Sequence, residues 1–567
     1  MRMIKMKTLL YGGSVINVFT GEIEKANVLI EDDKIIGVGN YTPDDADVTE
    51  DVSEKILCPG FIDGHIHIES TMLTPSELAK ISLPHGTTSI VADPHEIANV
   101  CGVDGIKYMI EASEGIPMNV YINIPSCVPA TPFDESGAVL QAEDIKPLYK
   151  EKRVVGLAEM MNYPGVIFKD ESVIKKITDA HNEGKIVDGH APFLTGKDLD
   201  KYASYLIGSD HECSTIDEAI EKIRKGQRIM IRQGTAARNL KDLLPLFDPP
   251  YNHRCLLVTD DRHPADLMNE GHIDHIIRLA GQYGKSQITA IQMATIQAAE
   301  YFGIKGVGAI APGYRADLLI LNDLEAVDIK DVYSHGKKAV CDKVVKDFTK
   351  PSINDSLSQI TLNSFHLKEL TKEDLYIEPK ADKCRVIEII PGQLITKEKI
   401  HKINWENNNG IDTKEDILKL AVVERHKNTG HIGLGYINGI GLKKGAMASS
   451  VSHDSHNIIL IGTNDEDMVI AANHIRKFGG NVVVCNGEII SEMRLPVAGL
   501  MADMSAEEIA RQNENVRLSV HSLGVNDNIE PFMNMAFVSL SVIPSLKMTT
   551  QGLVNVDKME RVSLYCD

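Results

Sequence analysis

Short apolar runs rich in β-branched residues recur along the chain and predict β-strands. Eight such runs lie between Ile56 and Asp260, separated by segments of helical composition. The runs are ILCPGFID, TTSIVAD, MNVYINIPS, RVVGLAE, GKIVDGH, YASYLIGSD, QRIMIRQG and RCLLVTD. Strands that alternate with helices in this way are typical of a (β/α)8 barrel, an α/β fold, so we expect a TIM-like barrel over residues 58–305.

The segments between and after these runs predict the barrel helices. SELAKISL, VDGIKYMIEAS, ESVIKKITDAHNEG and STIDEAIEKIRKG separate successive strands, and QITAIQMATIQAAEYFG follows the last one. Their apolar residues recur at helical spacing, which places one face of each helix against the barrel.

The regions on either side of the barrel predict two further domains. Residues 8–57 alternate in hydrophobicity between Gly-Gly and Asp-Asp turns, and GVGAIAPGYRADLLILND returns to β character after the barrel. We therefore expect a small composite β-domain from residues 1–57 and 306–348. Residues 349–383 are rich in Lys, Asp and Ser and predict a linker. Residues 384–567 contain strands such as NVVVCNG and helices such as SAEEIARQNENVRLSV, which indicate a C-terminal α/β domain.

The net charge of the chain excludes two classes of binding partner. The chain has 59 Lys and Arg against 80 Asp and Glu, a formal net charge of −21 over 567 residues. Nucleic acid and anionic membranes need clustered Lys and Arg, so we exclude both as partners and expect a small neutral substrate. The apolar runs are too short to span a bilayer.

Cysteine usage indicates the compartment. The nine cysteines are scattered, odd in number and form no CxxC motif. A reduced cytoplasmic environment therefore fits better than a disulfide framework. The N-terminal segment turns polar too quickly for a signal peptide.

Metal-ligand side chains end five of the predicted barrel strands. The first strand ends in His65-Ile66-His67, and residues two apart in a strand point the same way. The other candidates close the fourth, fifth, sixth and eighth strands: Glu159, His190, His211 and Asp260. A histidine near a loop is usually structural, but this many suitable ligands in barrel order is hard to obtain by chance. Imidazole and carboxylate ligands suit Zn, Mn or Fe, so we expect a metal site at the C-terminal mouth of the barrel.

The motifs around these ligands resemble a known superfamily. PGFIDGHIH (59–67), His190, His211, Asp260 and GAIAPGYRADLLIL (308–321) are similar to the amidohydrolases. Many binuclear members have a carbamylated lysine on the fourth strand, where this chain has Glu159. HIHIES, ADPHE, GLAEMM and the C-terminal SHDSHN together resemble the bacterial adenine deaminases. With motifs in both halves, the resemblance covers almost the whole chain.

The resemblance implies a metal centre and a reaction. One ion would bind His65, His67 and Asp260, and the other His190 and His211, with Glu159 as the bridge. The centre would hold Mn²⁺ or Fe²⁺, and Zn²⁺ is also compatible. A hydroxide held by two cations would attack adenine and release ammonia and hypoxanthine, a step of purine salvage. Asp260 would act as general base and then as general acid.

Further polar residues near the predicted mouth are candidates for binding substrate or orienting a metal ligand. They are Glu69, Asp93, His95 and Glu96 after the first two strands, and His453, Asp454 and His456 in the C-terminal domain. Helix capping is the structural alternative for Glu69 and Asp93, and a solvated loop is the alternative for the C-terminal group. The close spacing of the C-terminal group predicts that the segment folds over the barrel mouth. For residues 261–263 we expect surface roles.

Two other functions are compatible with the barrel pattern. A cyclic-amide hydrolase of the dihydroorotase or hydantoinase type usually keeps the bridging lysine that Glu159 replaces. A non-catalytic scaffold with the same fold would lose metal ligands that this chain retains. A homo-oligomer, a dimer or larger, is expected for a barrel of this type.

Overall fold

Eight parallel strands form a barrel in the computed structural model, which describes residues 6–235, 237–391 and 393–566. The strands are Phe61–Ile66, Thr87–Ala92, Asn119–Ile124, Val154–Met160, Ile186–Gly189, Ser209–Asp210, Arg228–Arg232 and Cys255–Val258. The first five pair in chain order as one sheet and the last three as another. The barrel expected from the sequence is confirmed.

Backbone hydrogen bonds close the two gaps between these sheets. Gly208 N–H donates to the Val187 carbonyl over 2.8 Å, and Asp260 N–H donates to the His65 carbonyl over 2.9 Å. Gly189 permits the first contact, since a Cβ there would lie 2.2 Å from the Ser209 carbonyl oxygen. The second contact places the eighth strand beside the first, and both carry predicted ligands.

Two of the predicted strands differ from the structure. ILCPGFID contains two strands: Ile56–Pro59 belongs to a flanking sheet and Phe61–Ile66 to the barrel. The chain changes sheets at Gly60, whose N–H donates to the Asp317 carbonyl. In YASYLIGSD, the first two residues end the helix Gly196–Ala203, and only Ser209–Asp210 is a strand. Tyr205, Leu206 and Ile207 lie in the turn and loop between that helix and the strand, and with the helix end they form one apolar run in sequence.

Helices follow most of the strands and pack outside the barrel. They are Pro75–Ser82, His95–Ala112, Ala142–Ile145, Tyr163–Ile167, Glu171–Asn182, Gly196–Ala203, Ile216–Arg224, Pro264–Asn269, Ile273–Gln282, Gln287–Met293 and Ile296–Tyr301. The single helix expected over QITAIQMATIQAAEYFG is two helices. The break falls at Ala294 and Thr295, where the Ala294 carbonyl accepts a hydrogen bond from Ile62 of the first barrel strand.

Strands from both ends of the barrel segment share a flanking β-structure. One sheet contains Lys7–Tyr11, Asn27–Glu31, Lys34–Gly39 and Val48–Asp51; the other contains Ser14–Asn17, Glu22–Lys25, Ile56–Pro59, Leu318–Asp323, Asp328–Ser334, Lys337–Cys341 and Val344–Val345. Leu318–Asp323 pairs antiparallel with Ile56–Pro59. The strands that precede and follow the barrel therefore share one sheet.

The C-terminal region has its own mixed sheet. The strands are Lys383–Ile389, Thr396–Lys402, Leu418–Val423, Ile432–Asn438, Ala446–Ser449, Ile458–Gly462, Asn481–Cys485, Glu488–Met493 and Tyr565–Cys566. A smaller sheet contains Leu546–Thr549, Gly552–Asn555 and Glu560–Val562, and the helices are Asp465–Ile475, Ala506–Ser522 and Pro531–Phe537.

The segment expected to be a linker contains ordered structure. Asp355–Leu362 is a helix packed against the barrel helix His95–Ala112, and Glu373–Leu375 is a short 3-10 helix. The linker interpretation of residues 349–383 is therefore wrong. Its polar composition reflects one exposed face, while Leu357 and Thr361 on the other face are buried.

All nine cysteines carry free thiols. Among the described residues, no helix combines the length and the apolar character needed to cross a membrane.

Candidate metal centre

The ends of five barrel strands bring the six predicted metal ligands into one buried cluster. His65, His67, Glu159, His211 and Asp260 are buried, and the His190 side chain retains 20% of its exposure. Three overlapping groups have ligand atoms close enough to share an ion: His65 with His67 and Asp260, His65 with Glu159 and His211, and His190 with His211 and Glu212.

Glu159 lies between the two halves of this cluster. Its Oε1 is 3.4 Å from His67 Nε2 and 4.0 Å from His65 Nε2. Its Oε2 is 2.6 Å from His190 Nδ1 and 3.2 Å from His211 Nε2. Each carboxylate oxygen therefore faces a different pair of histidines, which is the arrangement that a bridging carboxylate needs.

The first-strand histidines present nitrogens that suit a cation. His67 Nδ1 lies 3.0 Å from the Asp93 carbonyl oxygen, so Nδ1 carries the hydrogen and Nε2 keeps its lone pair. His65 Nε2 is buried without a hydrogen-bond partner, 3.7 Å from Asp260 Oδ1. An unpartnered buried nitrogen between carboxylates is costly in the protein alone and is satisfied by a metal ion. The residues present therefore fit a divalent metal.

Asp260 reaches the cluster from a constrained backbone. Its φ is 60°, in the left-handed region, and the hydrogen bond to the His65 carbonyl keeps it beside the first strand. Oδ1 lies 3.1 Å from His67 Nε2, and Oδ2 accepts a hydrogen bond from Arg232. Burial opposes ionisation, but the positive charge of Arg232 holds the pKa of Asp260 well below its usual value.

Glu159 is ionised for similar reasons. Burial raises the pKa of its carboxyl, and the charges of His211 and His190 lower it further than burial raises it. The two carboxylates in the centre therefore remain negative, as a pair of cations requires.

Two residues of the cluster, Glu212 and Arg232, were missed in the sequence. Glu212 follows His211, and its Oε1 lies 3.4 Å from His211 Nε2 and 3.7 Å from His190 Nδ1. Arg232 ends the seventh strand and hydrogen-bonds to Glu212 and Asp260. A charged residue at the C-terminal end of a barrel strand is the signal that identifies Arg232.

The loop after the second strand joins the same cluster. His95 Nδ1 lies 3.2 Å from Asp93 Oδ2 and 3.6 Å from Glu159 Oε1. His67, Asp93, His95 and Glu159 form another group with ligand spacing. The helix-capping alternative for Asp93 is wrong: the following helix has Pro94 at its N-cap position and no side-chain cap. Burial lowers the pKa of His95, but the Asp93 charge raises it to about 10.

The Glu69 side chain contacts the backbone at the start of a barrel helix. Its Oε1 accepts a hydrogen bond from the Ile97 N–H in the first turn of the next helix, whereas Oε2 is buried without a partner. The capping alternative for Glu69 therefore describes a contact that exists, although to a different helix from the one expected.

The surface roles expected for residues 261–263 are wrong for Arg262. Its side chain is fully buried and bonds to Glu270 Oε2 over 2.8 Å and to the Gln233 and Gly271 carbonyls. The Arg262 guanidinium provides hydrogen-bond donors for backbone carbonyls that would otherwise be buried without partners. Asp261 is partly buried, with Oδ1 2.6 Å from the Ser70 hydroxyl.

Comparison with known proteins covers both halves of the chain. The Amidohydrolase family model matches residues 56–339, and the Adenine deaminase C-terminal domain model matches residues 393–560. An adenine deaminase of Desulfatibacillum aliphaticivorans is 44% identical over 98% of this chain and 97% of its own length. Adenine deaminase 2 of Carboxydothermus hydrogenoformans is 45% identical over 97% of this chain and 95% of its own. The adenine deaminase of Clostridium acetobutylicum is 44% identical over 96% and 95%.

The chain belongs to the adenine deaminase family.

The C-terminal domain that marks this family lies against the barrel mouth. Asp454 Oδ1 is 3.8 Å from His95 Nε2, and His456 Nε2 is 3.6 Å from Glu96 Oε2. His453, Asp454 and His456 are buried, so the alternative of a solvated loop is wrong. Further bonds join the two domains, such as the one from Asn457 Nδ2 to the Glu135 carbonyl, 2.7 Å long.

Glu96, His453 and His456 also have ligand spacing, but the hydrogen bonding opposes a metal there. The Ser452 N–H donates to His456 Nδ1 over 3.2 Å, so a neutral His456 carries its hydrogen on Nε2. In that tautomer Nε2, which lies 3.6 Å from Glu96 Oε2, has no lone pair for a cation. In this adenine deaminase family member, the two atoms lie 3.6 Å apart and neither has a hydrogen-bond partner among the described residues, so the contact is an approach of the C-terminal domain to a barrel carboxyl.

Glu96 occupies an acidic neighbourhood. Burial and the charges of Glu69 and Asp261 raise its pKa to about 8. Its Oε1 accepts a hydrogen bond from Ser70 over 2.7 Å.

Proposed function

We propose that this protein deaminates adenine to hypoxanthine and ammonia at a centre that holds two divalent metal ions. The observation that carries the proposal is the position of Glu159, with one oxygen facing His67 and the other facing His190 and His211. Near full-length similarity to proteins named adenine deaminase favours adenine over the cyclic amides of the alternative hydrolase.

The donor set defines which residues would hold the metal. His65, His67 and Asp260 would bind one ion, His190 and His211 the other, and Glu159 both. Mixed imidazole and carboxylate ligands suit Mn²⁺ or Fe²⁺, and also Zn²⁺. When bound, two such ions lower the pKa of water and polarise the group that it attacks.

Asp260 would move the proton in the reaction. Adenine and water contain the atoms of hypoxanthine and ammonia, so one water proton must reach the departing amino group. Asp260 is ionised and faces the cluster through Oδ1, while Arg232 occupies one lone pair of Oδ2. The second lone pair of Oδ2 can accept the water proton and return it to the amino group.

A cavity lies between the barrel and the C-terminal domain. Its volume is about 60 Å³, and its walls combine Ser70 and Asp261 of the barrel with His453 and Phe537 of the C-terminal domain. The rings of His453 and Phe537 stack with centroids 4.6 Å apart. Asp261 on the cavity wall is the chain neighbour of Asp260, so a small substrate in the cavity would lie close to the cluster.

Steady-state turnover tests the proposed function, measured as ammonia release for adenine and as formation of the ring-opened carbamoyl product for the cyclic amides, whose hydrolysis releases no ammonia. Protein loaded with Mn²⁺ is given adenine, and separate samples are given a hydantoin and a dihydropyrimidine. Ammonia and hypoxanthine from adenine alone support the proposal. Turnover of only a cyclic amide supports the alternative hydrolase, and a protein that binds metal and turns over none of these compounds contradicts an enzymatic role. Sedimentation of the same sample tests the expected homo-oligomer.

A further inference from the structure

One guanidinium joins carboxylates from both halves of the metal centre. Arg232 Nη1 and Nη2 bond to Glu212 Oε1 and Oε2 over 2.6 and 2.9 Å, and Nη1 also donates to Asp260 Oδ2. Glu212 faces His190 and His211, whereas Asp260 faces His65 and His67. Arg232 thus contacts a neighbour of each proposed ion.

The barrel places these three side chains together. Arg232 ends the seventh strand, and Glu212 and Asp260 each lie two residues beyond the end of an adjacent strand. Their side chains retain only 12%, 15% and 6% of their exposure. Charge-assisted hydrogen bonds at this depth are screened little by water and restrict both carboxylates.

We propose that Arg232 is a positioning residue that holds Asp260 and Glu212 across the metal centre, so that Asp260 presents only Oδ1 to the metal ions. The inference rests on the metal-ligand assignment of the proposed function. A carboxylate with one oxygen held by a guanidinium cannot rotate to bind a cation through both oxygens. Its second oxygen then remains available for the transferred proton.

An arginine at position 232 suits a residue that orients the two carboxylates better than one that only balances charge. A cation beside two metal ions repels them, so a residue selected only to retain metal would not be positive. The planar fork matches the Glu212 carboxylate with two bonds and still reaches Asp260. A lysine has the same charge but acts as a point donor and cannot hold both carboxylates in fixed orientations.

The test compares Arg232→Met, Arg232→Lys, Glu212→Gln and the Arg232→Met/Glu212→Gln double variant with the wild type. Arg238→Met is the matched control, because Arg238 lies in the loop after the same strand and makes exposed ion pairs with Asp266 and Glu270. Each protein is stripped of metal and titrated with Mn²⁺ by calorimetry. Its melting temperature, kcat and KM for adenine are then measured, and crystal structures of the Mn²⁺-loaded wild type and Arg232→Met variant are determined.

We expect the wild-type structure to show Asp260 bound to metal through Oδ1 alone. In Arg232→Met, Asp260 should bind through both oxygens. That variant should still bind two Mn²⁺ with undiminished affinity, because a repelling cation has been removed. Its kcat should fall by about 10–100-fold with KM changed less than about threefold. The kcat of Arg232→Lys should stay as low as that of Arg232→Met. Glu212→Gln should lower kcat when Arg232 is present, but should cause no further fall when it is added to Arg232→Met.

Several results would overturn the proposal. An unchanged Asp260 in the Arg232→Met structure would show that the arginine does not position it, whether or not the protein acts on adenine. Loss of a Mn²⁺ ion in Arg232→Met would show that Arg232 retains metal. A wild-type kcat in Arg232→Lys would show that only the positive charge at this position matters. If kcat in the double variant falls by the product of the two single-variant factors, Glu212 acts independently of Arg232. A wild type that binds Mn²⁺ as expected but leaves adenine unchanged would contradict the proposed function, while the two structures would still decide the role of Arg232.

Discussion

Glu159 Oε2 and His190 Nδ1 lie 2.6 Å apart, although the two residues are separated by 31 positions in the sequence. They end the fourth and fifth strands, which are neighbours in the barrel. The contact makes Glu159 the residue through which the two predicted groups of ligands meet, and the first prediction follows from it.

Glu159→Gln keeps the size of the side chain but removes its charge. We expect the variant to lose at least one metal ion and nearly all turnover, since a neutral amide cannot bridge two cations. Elemental analysis and ammonia release measure both effects, with circular dichroism to verify the fold. Glu183→Gln, at an exposed position after the helix Glu171–Asn182, is the control. Full metal content and near-normal activity in Glu159→Gln would remove the residue from the centre.

Asp260→Asn tests proton transfer. Its amide oxygen can still coordinate a cation weakly but cannot accept a proton at neutral pH. Positioned proton transfer contributes about 10²–10⁴-fold to rate, so kcat should fall by that order with a much smaller change in KM. Asp248→Asn, whose side chain is 62% exposed, should behave like the wild type. If Asp260→Asn weakens KM and keeps its kcat, Asp260 binds substrate and does not transfer protons.

Substrate size gives a third prediction. We expect adenine to be deaminated and adenosine to react poorly or not at all, because the chain is 44% and 45% identical to proteins named adenine deaminase. Competition assays with 9-methyladenine would show how much bulk the N9 position tolerates. Equal kcat/KM for adenosine and adenine would contradict the nucleobase assignment.

The interdomain contact at Asp134 predicts a pH effect on stability. Burial raises the pKa of Asp134 to about 6, while hydrogen bonds from Ser541 and Thr131 oppose the shift. A carboxyl whose pKa is raised in the folded state binds more protons there than when unfolded. The stability that the protonated Asp134 carboxyl contributes is therefore fully present below its ordinary pKa of 3.8. It is lost as the pH rises through the folded-state pKa of about 6.

Asp134→Asn removes this titration. From pH 4.5 to pH 7, we expect its free energy of unfolding, relative to the wild type, to rise by on the order of 1–3 kcal/mol. Denaturant titrations of the metal-free proteins measure the difference, and Asp248→Asn provides the exposed control. A constant difference across this range would show that Asp134 ionises normally in the folded protein.

The sequence predicted the barrel and the clustering of its candidate ligands because both depend on local patterns. Each strand is a short apolar run, and each of His65, Glu159, His190 and Asp260 lies at a strand end, so topology alone brings them together. The boundary errors at Gly60 and Tyr202 arose where an apolar run continued across a change of element.

The contacts that sequence reasoning missed depend on packing between distant segments. Arg232 and Glu212 lie next to strand ends, but only the closed barrel shows that they contact each other and Asp260. The burial of Arg262 and the helix Asp355–Leu362 were missed for the same reason: polar residues were assigned to the surface although tertiary contacts pair or cover them.

Titration of the metal-free protein with Mn²⁺ tests the central claim most directly. Adenine deamination is measured after each addition, and bound metal is determined on the same samples. We predict no turnover without metal and a rise that reaches its plateau at two ions per chain. Full activity in metal-free protein, or a plateau at one ion with no further gain, would contradict a binuclear centre bridged by Glu159.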